Sequence, residues 1–273
     1  MATTTTNLGL TKPAYTEAAD IGVINGNFDL LDRAIAEDRK QIVRSGNVRN
    51  LLDNSNFQNP INQRGQNSYA GVYGIDRWRV CDAGAMVLAS DGLTVQNETL
   101  FQYFDVGALN NALHTLAVMT TGGSLMLTVM NPHNQFDFAE NGLGIGIDNG
   151  VHVIGLPPGQ TYAWAALYEG EYTTETLPPY VPKGYAHELI ECMRYYQAEN
   201  RVQYLPTLGA GDYFKILNVP FFVPMRITPT IDVISTVESA RTTAFPTGFE
   251  IRIENASAYE SPAITAWTAN ADL

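Results

Sequence analysis

The sequence is poor in charged residues, and its few cations are unevenly placed. Only 16% of the 273 residues are charged, whereas typical domains carry about 25%. The formal net charge is -12, and no Lys or Arg occurs between Arg79 and Lys183. Binding to nucleic acid requires cations that neutralise phosphates, and binding to an anionic membrane surface requires them as well. We therefore expect no nucleic-acid partner and no membrane partner.

Cysteine is scarce, and the spacing patterns of metal and redox sites are missing. The two cysteines, Cys81 and Cys192, lie far apart, and no C-x-x-C pair occurs. We interpret both as buried free thiols, with a disulfide left open. The four histidines are scattered, and no H-E-x-x-H occurs. We expect no bound metal and no cofactor; Ca²⁺ is left open, although no motif indicates it.

Signatures of enzymes and of secretion are also missing. The sequence contains no G-x-S-x-G, no phosphate-binding loop and no internal repeat. We therefore expect that the chain is not an enzyme. The N-terminus lacks the basic and apolar regions of a signal peptide, and no apolar run is long enough to cross a bilayer. We expect a protein that is made in the cytoplasm without membrane insertion.

An amphipathic helix is predicted near the N-terminus, where apolar residues recur at alternating steps of three and four. The seam positions are Ile21, Ile24, Phe28, Leu31 and Ile35, followed by Ile42. This spacing is typical of a coiled coil. Asn25-Gly26-Asn27 interrupts the pattern, and we expect it to divide the helix. Two alternatives remain open: a seam between copies of the chain, which we favour, and a helix packed on its own chain.

From about residue 45 the chain consists of short β-like runs between turn signals such as Asp91-Gly92 and Asp148-Asn149-Gly150. This pattern of short strands and turns predicts a mainly β fold, with a β-sandwich or jelly roll after the N-terminal helix. A proline-rich linker then precedes a short helix at about 186–197 and a smaller β-rich region. We expect three regions: a particle-attachment tail and oligomerisation helix over 1–45, a β-sandwich over 46–177, and a linker, short helix and β region over 178–273.

Two passages resemble a carbohydrate-binding-like domain that is common in bacteriophage tail and fibre proteins. The first carries Asn56-Phe57, Asn62-Gln63-Arg64-Gly65 and Asp76-Arg77-Trp78. The second resembles the end of the same module and has the matching residues Leu167, Glu169, Gly170, Glu188, Leu189, Cys192, Arg194, Tyr195 and Tyr196. Residues 166–170, ALYEG, depart from the family's "Q-L-E-x-G", so the strand register is only approximate. The phrase VPMRITPTI resembles the strand that follows the helix in such proteins.

A third similarity lies at residues 8–35, where "L-x-L-T-K-P" and "N-G-N-F-D-x-x-D" resemble the segment that attaches phage fibres to the particle. The resemblance implies a virion protein: a homotrimeric fibre or spike subunit that is held to other virion proteins by its N-terminus and contacts a host glycan. The alternatives are a collar, head-fibre or baseplate component with no host ligand and, less favoured, a polysaccharide depolymerase.

Sugar binding uses aromatic platforms, and the aromatic residues of the β region supply the candidates. These are Tyr69, Tyr73, Trp164, Tyr168 and Trp267. Each is also a candidate for the hydrophobic core, where large aromatic side chains commonly lie. Asp76 and Arg77 are expected to form an ion pair that caps a buried Trp78. Arg194, with the two tyrosines that follow it, is expected to anchor the short helix on a sheet edge.

Overall fold

The fold is mainly β, which confirms the prediction made from the turn-rich sequence. The computed structural model describes residues 3–5, 10–12, 21–45, 48–71, 73–81, 83–105, 107–200, 203–204, 214–235, 240–254 and 263–272. Across these ranges it contains two helices and twenty strands. The helices are α1 (Ile21–Ser45) and α2 (Tyr185–Met193).

The strands fall into an N-terminal pair, a long central group and a C-terminal group. The first thirteen are β1 (Thr3–Thr4), β2 (Thr11–Lys12), β3 (Ser68–Ala70), β4 (Arg79–Val80), β5 (Ala85–Leu88), β6 (Leu93–Gln96), β7 (Leu100–Tyr103), β8 (His114–Thr120), β9 (Leu125–Met130), β10 (Asp137–Phe138), β11 (Gly144–Asp148), β12 (Val151–Leu156) and β13 (Gln160–Glu169). The C-terminal group is β14 (Tyr196–Glu199), β15 (Gln203–Tyr204), β16 (Phe214–Pro220), β17 (Thr230–Ser235), β18 (Ala240–Phe245), β19 (Gly248–Glu254) and β20 (Ala263–Asn270).

The chain divides into two compact units. The first comprises Met1–Arg49 and Tyr172–Tyr180, and the second comprises Asn50–Glu171 and Val181–Leu273. In the first unit, β1 and β2 form a small antiparallel hairpin beside α1. The side-chain amide of Asn27 accepts a hydrogen bond from the Thr11 amide nitrogen and donates one to the Thr11 carbonyl, each at 2.9 Å. This paired contact fixes the hairpin to the helix.

Helix α1 runs without a break through Asn25-Gly26-Asn27, so the expected division of the helix is wrong. A glycine inside a helix costs about 1 kcal/mol relative to Ala, an amount that a helix of 25 residues tolerates. On the predicted seam, Ile24, Phe28 and Ile35 expose 39%, 63% and 51% of their surface, and Leu31 is half-buried. The side chain of Ile21 lies outside the described residues. Ile24, Phe28 and Ile35 therefore present open apolar surface.

The central strands form a sandwich of two antiparallel sheets. One has six strands in the order β3-β5-β6-β13-β8-β9, and the other has five in the order β10-β11-β12-β7-β4. Side chains alternate between the two faces of a strand, and the inward positions of both sheets belong to one hydrophobic core. Leu116 and Val118 of β8 meet Ile154 and Leu156 of β12 in that core, together with Trp78.

The C-terminal strands carry a second core within the same compact unit. Strands β14, β15 and β17 pair with β20, and β16, β19 and β18 form a three-stranded sheet. Phe249 and Trp267 pack edge to face with ring centroids 5.3 Å apart, and Phe221 joins them. The rings fill a core that also contains Ile251 and Ile264.

Helix α2 ends at Met193, earlier than predicted, because Tyr196 already begins β14 and pairs with Asn270. Cys192 on α2 is buried, whereas Cys81 is exposed, which corrects the interpretation of both cysteines as buried. The two do not form a disulfide. In the described part of the chain, neither helix is long and apolar enough to cross a membrane.

Candidate functional site

A groove of about 480 Å³ opens beside β3 and β4, where they approach the C-terminal strands. Its walls combine aromatic rings, guanidinium groups and amides. The lining residues are Tyr69, Tyr73, Tyr196, Arg64, Arg79, Gln66, Asn270 and Gly71. Tyr69 and Tyr73 are two of the five predicted sugar platforms, and the structure brings them together here.

Tyr69 is held rigidly in the groove wall. Its hydroxyl donates a hydrogen bond to the side-chain oxygen of Asn62 and accepts one from the backbone N–H of Gln66 at 2.9 Å. The turn between these residues is closed by Gly65, whose φ of +69° is a conformation that glycine adopts without strain. Burial raises the pKa of Tyr69, so the phenol stays protonated. Tyr69 therefore presents a fixed, neutral wall.

Arg64 lies between two of the tyrosine rings. Its guanidinium carbon is 3.8 Å from the centroid of Tyr196 and 5.9 Å from that of Tyr73. The same guanidinium pairs with Asp272 and lies 4.0 Å from Asp76. Burial raises the pKa of Asp76 to about 6, even though hydrogen bonds from Gln63 and the charge of Arg64 lower it. Acidic groups of the protein thus offset much of the charge of Arg64.

Tyr73 and Arg79 also line the groove. They are directly paired across an antiparallel bridge, so their side chains share one face. Burial raises the pKa of Tyr73, and the nearby Asp272 raises it further. The Tyr73 ring is thus another neutral phenol, beside the half-buried guanidinium of Arg79.

The remaining predicted platforms lie elsewhere. Trp164 is half-buried on β13, where it bridges to Asn56 and pairs with Met119. Tyr168 and Trp267 are buried, the first on β13 and the second in the C-terminal core. A ring without an exposed face cannot stack on a sugar, so the structure corrects the prediction for Tyr168 and Trp267, and also for Tyr69, which is only 5% exposed and packs in the sandwich core. Tyr73, which is half-buried, is the predicted platform that remains in the groove.

A buried ionic network joins the sandwich to α2 and to Tyr195, which follows α2, and Arg77 is its centre. The Arg77 guanidinium donates to Asp53 at 3.1 Å and to the Tyr103 carbonyl at 2.7 Å, and its carbon lies 3.4 Å from the centroid of Tyr195. Asp76, the expected partner of Arg77, instead accepts hydrogen bonds from Gln63. The predicted Asp76–Arg77 ion pair is therefore wrong, because the two neighbouring side chains bond to different segments.

Three carboxylates of this network lie close enough together to hold a cation. Oxygens of Asp53, Glu188 and Glu191 come within 4.8 Å of one another. The ammonium group of Lys183 is 3.2 Å from Asp53 and 3.8 Å from Glu188, and it also contacts Glu191. Burial would raise the pKa of Asp53, but Arg77 and Lys183 together lower it. Lys183 thus supplies the cation for this cluster.

Three histidines that are far apart in the sequence meet at one end of the sandwich. His114 on β8 and His152 on β12 are both buried, and the ring of His133 lies 4.7 Å from that of His152. One nitrogen of His114 and one of His133 contact backbone carbonyls of Ala112 and Leu109. Neither nitrogen of His152 has a hydrogen-bond partner among the described residues. Burial lowers the pKa of His152, and the two neighbouring histidines lower it further.

Acidification is expected to destabilise the fold through His152. The pKa of His152 in the folded state is below the value of about 6.5 in the unfolded state. The neutral ring therefore contributes fully to the free energy of unfolding above pH 6.5, and this contribution is lost as the pH falls. One such group changes the free energy of unfolding by at most about 1.4 kcal/mol per pH unit. Urea unfolding between pH 7.5 and 5 should show a shallower pH slope for His152→Gln than for wild type. Leu116→Ala, a core variant, should lower stability and keep the wild-type slope; equal slopes in all three proteins would contradict the prediction.

No family model, curated protein or solved structure matches the chain. The similarity to phage fibre proteins therefore rests on the motifs quoted above. Several of those motif residues line the groove or enter the ionic network, among them Arg64, Arg77, Glu188 and Tyr196.

Proposed function

We propose that the chain is a non-enzymatic structural subunit of a fibre or spike on a bacteriophage or phage-like particle. Its N-terminal segment attaches it to other virion proteins, α1 joins three copies, and the groove contacts a glycan on the host surface. The observation that carries the proposal is the lining of the groove, where three tyrosine rings stand beside two guanidinium groups and two side-chain amides. The motifs that resemble phage fibre proteins supply the biological setting.

The groove has the chemistry and the size of a sugar site. The half-buried ring of Tyr73 offers an apolar face with a polar edge, which suits the C–H face of a sugar ring, and the buried rings of Tyr69 and Tyr196 support the groove wall. Arg79, Gln66 and Asn270 offer hydrogen bonds to hydroxyl groups. The volume of about 480 Å³ falls within the range of about 300–1,000 Å³ that is usual for small-ligand sites. A short stretch of glycan therefore fits the groove.

Trimerisation is supported by the exposed seam of α1. Ile24, Phe28 and Ile35 leave large apolar areas open to solvent on a helix whose apolar spacing is that of a coiled coil. A second and third copy of the same helix would cover these side chains. The occupant we propose for this surface is therefore the chain itself.

A hydrolytic role is less well supported. Glycoside hydrolysis uses a pair of carboxylates that flank the scissile bond. Among the described residues, the groove lining contains no Asp or Glu. Asp76 lies near Arg64 but is fully buried, where a sugar oxygen cannot reach it. We therefore expect binding without release of sugar ends.

Binding of the full chain to a glycan array and to host cells, alongside a reducing-end assay, tests the proposal. Tyr73→Ala should weaken binding about tenfold, which corresponds to about 1.4 kcal/mol, because a stacking face is lost. Tyr185→Ala is the matched control, since Tyr185 is an exposed tyrosine on α2 outside the groove.

The outcomes separate the three readings of the chain. Binding without new reducing ends, weakened by Tyr73→Ala alone, supports an attachment subunit. Complete absence of binding by an assembled oligomer would favour a collar, head-fibre or baseplate component. Released sugar ends would show that a carboxylate pair acts at a site other than the one proposed.

A further inference from the structure

A single row of residues crosses the outer face of the five-stranded sheet. Directly paired residues of antiparallel strands point to the same face, and the pairings link one residue of each strand to the next. The row is Tyr73, Arg79, Phe101, Gly155, Gly144 and Phe138. Val80, Leu100 and Ile154, the chain neighbours of these residues, belong to the sandwich core. The row therefore faces away from the core.

The two glycines of the row make room for another aromatic ring. A Cβ atom at Gly144 would lie 2.5 Å from Cζ of Phe136, and one at Gly155 would lie 3.0 Å from the same atom. Only glycine allows the ring to approach the sheet so closely. The Phe136 centroid is 5.8 Å from that of Phe101 and 4.9 Å from that of Phe138. Aromatic rings thus continue across the part of the row that lacks side chains.

The row begins in the groove, because Tyr73 and Arg79 belong to both. Neighbouring strands are about 4.8 Å apart, so the five steps from Tyr73 to Phe138 span about 24 Å. This length exceeds what one sugar ring covers and suits several consecutive rings. The groove and the row together describe a path rather than a closed pocket.

The charge along this path is low. Arg79 is the last cation of the sequence before Lys183, so β5 to β13 contain no Lys or Arg. Exposed carboxylates of Asp137 and Asp148 lie on β10 and β11, at the far end. A polyanion would meet these carboxylates without compensating cations, whereas a neutral chain would not be repelled.

Resting on the proposed glycan-binding function, we propose that the groove and the aromatic row form one continuous binding path for a neutral, linear polysaccharide. Tyr73, Phe101, Phe136 and Phe138 provide successive faces for sugar rings. Arg79 stands between Tyr73 and Phe101 and donates hydrogen bonds to hydroxyl groups of the chain.

The dependence of affinity on ligand length tests this path. The probes are neutral oligosaccharides of two to eight units prepared from galactan, mannan and glucan, titrated calorimetrically against the full chain. Affinity should rise with length for at least one series, because longer chains reach from the groove to Phe138. Phe138→Ser should abolish the gain, with about a tenfold loss for the longest chain and no change for the shortest.

The matched control is Phe245→Ser. Phe245 exposes 49% of its surface, as against 46% for Phe138, and it lies on β18, away from the row. This variant should retain the full dependence on length. The pair therefore separates a local contact with the ligand from a general effect of removing an exposed phenylalanine.

The other outcomes overturn the inference in distinguishable ways. If short chains bind as tightly as long ones, the groove acts alone and the proposed function stands without the path. Uronic-acid oligosaccharides of the same lengths are titrated beside the neutral series, and tighter binding of these carboxylated chains removes the assignment to a neutral polysaccharide. A change in oligomeric state for Phe138→Ser makes the row an interface between copies, and no binding of any probe overturns the path together with the proposed function.

Discussion

Replacing Arg77 by Met is expected to lower the free energy of unfolding by roughly 3 kcal/mol. Removing one partner of a buried ion pair costs about 3–5 kcal/mol, because the remaining charge is left without compensation. The lower end applies here, since Lys183 remains 3.2 Å from the Asp53 carboxylate. Arg77 also donates to the Tyr103 carbonyl and covers the ring of Tyr195, and Met replaces neither polar contact. Urea unfolding at neutral pH measures the loss.

Arg194→Met provides the matched control for Arg77→Met. The Arg194 side chain is about half exposed and lies 3.8 Å from Asp105. Surface ion pairs contribute about 0–1 kcal/mol, so this variant should remain close to wild type. Combining Asp53→Asn with Arg77→Met should cost less than the sum of the two single changes, because the uncompensated carboxylate is gone. Equal losses for Arg77→Met and Arg194→Met, or strict additivity in the double variant, would contradict a central role for Arg77.

The mainly β character could be predicted because alternation along a strand survives in the sequence. Leu143, Ile145 and Ile147 alternate with glycines, and the structure places β11 over this segment with Ile145 in the core. The reason for the glycines could not be predicted from alternation. Gly144 admits the ring of Phe136, and Gly146 admits the backbone of Phe136. This packing against the preceding segment is a tertiary contact that the alternation pattern does not contain.

The candidate site could be predicted only in part. Tyr73 was a candidate along with Tyr69, Tyr168 and Trp267, whose rings are buried, and no local pattern separates a ring that is open to a groove from a ring in a core. Whether an aromatic ring is buried or open to solvent depends on which face of its strand is covered by another element of the fold. The third tyrosine, Tyr196, enters the groove from β14, and Gln63 ties it there through its backbone carbonyl at 2.7 Å. These two residues are 133 positions apart in the chain.

The motifs that resemble phage fibre proteins acquire a physical meaning from the ionic network. The indole N–H of Trp78 donates a hydrogen bond to the backbone carbonyl of Asn54 at 2.8 Å, and the backbone N–H of Asn54 donates one to the Glu188 carboxylate at 2.6 Å. Arg77, between these contacts, joins Asp53 to Tyr195. The two motif passages thus bind each other across the fold. The resemblance implied that both passages belong to one module, and the partners of each charge became visible only in the folded chain.

Replacing Phe28 by Asp is expected to convert the proposed trimer into monomers. Fully burying a large apolar side chain contributes about 1.5–3 kcal/mol, and Phe28, at 63%, is the most exposed of the seam residues whose side chains the structure describes. The substitution removes that contribution from each copy and places three carboxylates at one level of the seam, where they repel one another. Light scattering and sedimentation at micromolar concentration measure the change in mass.

Arg33→Asp is the matched control, because it introduces the same carboxylate at an exposed position of α1 outside the seam. It should leave the trimer intact, and a monomeric wild-type chain at every concentration would overturn the prediction. A trimer presents three grooves, so binding to a cell surface gains from multivalency without any new contact. The Phe28→Asp monomer should therefore bind a short oligosaccharide with wild-type affinity but lose most of its binding to cells. Tyr73→Ala should weaken both, and this contrast distinguishes the seam from the groove.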